Sequence, residues 1–191
     1  MRKLIILGVN QYPNITERLE KLPNESVLSA TPDSNRVTEV KTLKLYRGAM
    51  AFEQLRYKTD RYADNHPRPK VWMFTYGNLV MRRIRSQFAE NFFGVAGYKV
   101  IDNIGFETIE KGIKAARNTK PDIVVLCASD EDYESMAIEI FKALKNDFIV
   151  VLAGYPINLV KKLKAEGMQN FIHAKSNVLK ELLKYHKLLG I

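Results

Sequence analysis

The sequence predicts an α/β protein of the doubly wound, flavodoxin-like (Rossmann-like) class: a five-stranded parallel sheet in the order 2-1-3-4-5 with helices on both faces. Three observations predict it. From Pro69 onward, short runs rich in β-formers alternate with longer stretches of helical period. The connections between them are short, as right-handed β-α-β crossovers allow. One run, residues 123–128, is apolar without alternation, which suits a central strand covered on both faces.

The elements follow in order. Leu4 to Val9 is an apolar run too short for a signal core, and it reads as a strand with nothing beside it in sequence. Residues 13–35 are polar and turn-rich. Residues 37–62 read as helical, with Val40, Leu43, Met50 and Leu55 on an apolar side among dense charge. This segment is expected to leave the sheet's core alone and to cover a partner.

Val71 to Tyr76 forms the first sheet strand, and the next helix repeats Val80, Ile84, Phe88 and Phe92 every four residues. Gly97 closes that helix. Residues 98–101 make the second strand, and Thr108 caps a helix with Ile109, Gly112, Ile113 and Ala116 inward. Pro121 and Asp122 turn the chain into the central strand. Ser129 and Asp130 cap a helix carrying Tyr133, Met136, Ala137, Ile140, Phe141 and Leu144. A fourth strand at 148–153 precedes a helix with Ile157, Val160 and Leu163. A short fifth strand at 170–173 precedes a last helix, opened by Ser176 and carrying Leu179, Leu182 and Leu183.

Composition narrows the function. A chain of 191 residues is too short for a complete (β/α)8 barrel, which takes about 250. Its single cysteine, Cys127, forms no internal disulfide and has no second thiol with which to build a zinc site, so a cytoplasmic setting is expected. No apolar stretch approaches the roughly 20 residues of a membrane span. Thirty Lys and Arg against 21 Asp and Glu give a net charge of +9, which raises a polyanion as a partner. The lysines are scattered over every helix and lack interleaved aromatics, so a solvated surface is expected and a basic nucleic-acid-binding module is only a second alternative.

Several blocks carry a resemblance. These are Pro69-Lys70-Val71 leading to Thr75-Tyr76-Gly77-Asn78, the run from Met81 to Ala89, and the run from Gly97 to Asn103. The opening Leu7 to Asn14, the stretch Arg47 to Arg56, and the ending Asn170 to His173 with Leu189-Gly190-Ile191 fit as well. Together they resemble the carboxyl-terminal region of the small, non-catalytic subunit of methylmalonyl-CoA mutase. The resemblance implies a remnant of the end of a barrel domain at 1–35, a helical connector at 36–68 and a cobalamin-binding-like domain at 69–191.

In a sheet of this order the ligand crevice lies at the carboxyl ends of strands 1 and 3, here residues 75–84 and 127–132. Cobalamin-binding members of the family have Asp-x-His-x-x-Gly after strand 1, where the His ligates cobalt and the Asp orients it. This chain has Leu79, Met81 and Ile84 at those positions, after Gly77 and Asn78. A family Ser-x-Leu block here reads Ala128-Ser129-Asp130, and a Gly-Gly block reads Ala153-Gly154. The resemblance therefore implies a vestigial crevice with no catalytic residue, no metal ligand and no bound cofactor. Ile84 and Ala153 are expected to fill the channel for the cofactor tail, and Met81 to pack in the core. Adenosylcobalamin would sit in a large-subunit partner, the two forming a heterodimer. The alternative is a component that binds cobalamin without a His ligand.

Other reactive types have structural readings. Arg82, Arg83 and Arg85 near a helix start suit an anion, a subunit contact or a solvated face. Cys127 reads as an inert core thiol, and His66, His173 and His186 are dispersed. Asp130, Glu131 and Asp132 satisfy free amides at a helix start.

Overall fold

A computed structural model describes residues 5–20 and 47–191. Five strands, β1 (Lys70–Thr75), β2 (Lys99–Ile101), β3 (Ile123–Cys127), β4 (Ile149–Ala153) and β5 (Phe171–Ile172), form one parallel sheet. Its order is β2-β1-β3-β4-β5, as the sequence predicts. Six helices surround it: α1 (Met50–Tyr62), α2 (Leu79–Gly94), α3 (Ile109–Thr119), α4 (Asp130–Leu144), α5 (Ile157–Ala165) and α6 (Val178–Leu189).

Alternation along the strands divides the core into two layers. Trp72, Phe74, Val124, Leu126, Val150 and Leu152 join Tyr133, Met136, Ile140 and Leu163 on one face. Val71, Met73, Val125, Cys127, Val151 and Ala153 join Phe93, Leu182 and Tyr185 on the other. Side-chain caps start the helices where unpaired amides demand them. Asn78 accepts from the amides of Val80 and Met81, Thr108 from Lys111, and Asn177 from Lys180. Ser129 and Asp132 form a reciprocal capping box on α4.

Three expectations are corrected. The first is the strand at residues 4–9. Leu4 lies outside the described residues, and residues 5–11 form a turn closed by an isolated bridge between Leu7 and Gln11. With no strand alongside among the described residues, the backbone pairs locally: Val9 and Asn10 donate to the Ile6 carbonyl, and the Asn10 side chain accepts from the Ile6 amide.

The second concerns residues 37–62. Those from 37 to 46, including Val40 and Leu43, lie outside the described residues, while α1 joins the core by packing on α6. Leu55 is 1% exposed within the α2 and α6 layer. Polar side chains are buried beside it. Thr59 Oγ1 lies 2.9 Å from His186 Nε2, Arg56 donates to the Gly94 carbonyl, and the fully buried Asp60 pairs with Arg68 and accepts from the Leu19 amide.

The third concerns which face of α2 is buried. Only Phe92 of the four-residue repeat is buried, and Phe88 is half-buried. Val80 and Ile84 are exposed. A step of four residues overshoots the helical turn by about 40°, so three steps drift about 120° round the helix. The inward face is instead Ser86, Ala89 and Phe93. Ile157 at the start of α5 is likewise exposed, and Leu159 takes its place inside.

Candidate functional site

The topology puts a crevice where β1 and β3 send their chains to opposite faces. Gly77 makes the turn out of β1 with φ +71°, and a methyl group there would collide with the Asp132 carboxylate. Asp132 ties the two lips together. Its Oδ2 accepts from the Asn78 amide at 3.0 Å and from the Ser129 hydroxyl at 2.9 Å. Burial opposes its charge, but these hydrogen bonds outweigh that and hold the carboxyl below its usual range.

The three positions that the resemblance aligns with the cobalt motif differ in exposure. Leu79 is 62% exposed and Ile84 54%, while Met81 is half-buried. Ile84 therefore does not fill the crevice, and Met81 is not a core residue. Ala128 and Ala153 are fully buried.

Two groups lie at the strand ends beside the crevice. The first is Tyr133, fully buried on α4. Its hydroxyl lies 2.9 Å from the carbonyls of both Leu126 and Ala153 and accepts from the Ala128 amide at 3.1 Å. It thus joins the carboxyl ends of β3 and β4, and burial pushes its ionisation far above the ordinary range. Its spacing with Met136 and Ile140 marks it as core, and nothing in sequence marks where the hydroxyl ends.

The second group is the arginine cluster. Arg82 donates to the carbonyls of Gly77 at 3.2 Å and Ile104 at 2.8 Å, clasping the β1 and β2 loops. Arg85 reaches the other way. Its Nη2 lies 2.9 Å from Asp130 Oδ1, and a methyl group on Gly154 would come within 2.6 Å of its Nη1. Arg83 is exposed.

The remaining titratable groups lie elsewhere. Cys127 is fully buried at the end of β3, and burial pushes its thiol well up. His66 stacks on Tyr62, His173 follows β5 beside Tyr155, and His186 is buried against α1. Among the described residues no three His, Cys, Asp or Glu side chains group to hold a metal. No described helix is long and apolar enough to cross a membrane.

No family model matches the chain. Over its full length it is 44% identical to the methylmalonyl-CoA mutase small subunit of Porphyromonas gingivalis, covering 30% of that protein. Over 99% of its length it is 30% identical to the probable methylmalonyl-CoA mutase small subunit of Mycobacterium bovis, covering 28% of that protein. The chain thus spans less than a third of the length of these curated relatives. The crystal structure of a cobalamin-binding protein from Desulfitobacterium hafniense superposes on 72% of this chain and 67% of that one. The TM-score is 0.45 and the identity 22%.

Proposed function

We propose that this chain, a homologue over its whole length of part of methylmalonyl-CoA mutase small subunits, is a non-catalytic structural domain of such a subunit. In this reading a large subunit carries adenosylcobalamin and isomerises methylmalonyl-CoA and succinyl-CoA, and the two subunits pair in the cytoplasm. The domain's task is to hold that partner in a competent arrangement.

The residues present do not fit a cobalamin. Cobalt coordination by a side chain calls for an imidazole nitrogen held by a second-shell acceptor. The crevice has Met81 at that position and a leucine at the position of the orienting carboxylate. What supports the reading is that the Tyr133 hydroxyl bonds the ends of β3 and β4 together and that the Arg85 side chain lies against Gly154 beside them.

The same end of the sheet exposes Leu79, Val80, Ile84, Ile104, Tyr155 and Ile157. They follow β1, β2 and β4, and an apolar patch of this kind marks a surface covered by protein. Its occupant in this reading is the rest of the small subunit, since the relatives are more than three times as long as the matched part.

A visible-spectrum titration and equilibrium dialysis with adenosylcobalamin test the reading. The expected result is no binding, and no conversion of methylmalonyl-CoA by the chain alone. A dissociation constant below about 10 μM, roughly −7 kcal/mol, would overturn it in favour of binding without a His ligand.

A further inference from the structure

We infer that Arg85 is the plug of the crevice, and that it closes the crevice by its bulk and not by its ion pair. The inference deepens the proposed function and rests on its reading of the crevice as one that holds no cofactor. Arg85 leaves the second turn of α2 and crosses the carboxyl ends of β3 and β4, so that its guanidinium lies on Gly154. Only a glycine leaves room for it there, and the φ of +151° at Gly154 disfavours any side chain as well.

The ion pair is the weaker part of this contact. Asp130 is 55% exposed against 22% for Arg85, and such an exposed pair contributes little. The packed part of the side chain is what solvent cannot replace. Ala153 and Cys127, at the ends of the same two strands and in the layer that α2 covers, are both fully buried. Burial pushes the Cys127 thiol up and Asp102 adds to this, while the Arg85 charge is close enough to oppose both.

Cys127 is the chain's single cysteine and therefore a built-in reporter of the roof above it. The experiment measures its labelling rate by methyl methanethiosulfonate on the whole folded chain at fixed pH. Urea unfolding of each variant subtracts labelling that passes through global unfolding. Arg85→Ala removes the whole side chain, Arg85→Met removes the guanidinium with its charge but keeps an unbranched apolar stem, and Asp130→Asn removes the ion pair alone. After that correction, Arg85→Ala should label at least about tenfold faster than the wild type, by local opening. Arg85→Met and Asp130→Asn should stay within about twofold of the wild type.

Slow labelling of Arg85→Ala would overturn the inference, because the sheet itself would then shield Cys127. Equal acceleration in Arg85→Ala and Arg85→Met would also overturn it, because the guanidinium and its charge, and not the packed stem, would then hold the crevice shut. The reagent does not involve cobalamin. A slow Arg85→Ala variant therefore leaves the proposed function standing, and cobalamin binding by the wild type leaves the labelling result standing.

Discussion

Leu55→Ala tests whether α1 belongs to the folding unit of the sheet. Leu55 is 1% exposed and shares a packed layer with Phe93, Tyr98, Leu182 and Tyr185. The truncation removes three carbons, a transfer loss of about 2 kcal/mol at roughly 0.8 kcal/mol per methylene. The unfilled space adds a cavity contribution, giving a total of about 2–5 kcal/mol. Collapse of the site is hindered, because Thr59, Arg56 and Asp60 pin the same helix through His186, Gly94 and Arg68. A value of about 3–4 kcal/mol is therefore expected. The assay is urea unfolding followed by far-ultraviolet circular dichroism and by the fluorescence of Trp72. Trp72 is the chain's single tryptophan, 3% exposed and on the opposite layer of the sheet, so it reports the sheet and not the helix. One transition seen equally by both probes, at a lower midpoint, is the expected outcome. A Trp72 transition shifted by less than about 0.5 kcal/mol would refute the reasoning and return α1 to the status of an appendage.

Stability should also fall in mild acid through His186, whose ionisation is pushed down to about 4, first by burial and then by the Lys58 charge. The neutral form is native, so the contribution is complete above the ordinary value near 6.5 and is lost as pH falls toward 4, by up to about 3 kcal/mol. The difference between wild-type and His186→Gln urea profiles from pH 7 to 4 isolates it, and a flat difference would contradict it. Tyr133→Phe leaves the buried Ala128 amide and the Leu126 and Ala153 carbonyls without their shared hydroxyl, at a cost of about 1–3 kcal/mol in the same assay. A loss below about 0.5 kcal/mol would show that these groups find other partners.

The sheet was legible because its strands are covered on both faces and their runs need no alternation to be recognised, as residues 123–127 show. Helix starts were legible at Thr108 and Ser129 because free amides select side-chain acceptors. What the sequence hides is burial that contradicts residue type. Arg56, Thr59 and Asp60 look like a solvated face of α1, yet each is almost wholly buried, because its partners come from α6, the end of α2 and Arg68. Those partners are distant in sequence, and no local period announces them. The opening apolar run misled for the complementary reason, since a strand needs a neighbour and Leu7 has only Gln11 among the described residues.

The place of the crevice followed from topology, but its occupant did not, and the difference is one of helical phase. Neighbouring residues on a helix point about 100° apart. Reading α2 by the row from Val80 to Phe92 turns Ile84 inward and Arg85 aside. Packing Ser86, Ala89 and Phe93 on the sheet does the reverse, leaving Ile84 in solvent and laying Arg85 across β3 and β4. Leu79 and Ile84 thus face solvent, while Arg85 is turned toward the ends of β3 and β4. The exposed Leu79 and Ile84 cost the fold little to change, whereas Tyr133 is bonded into the ends of two strands.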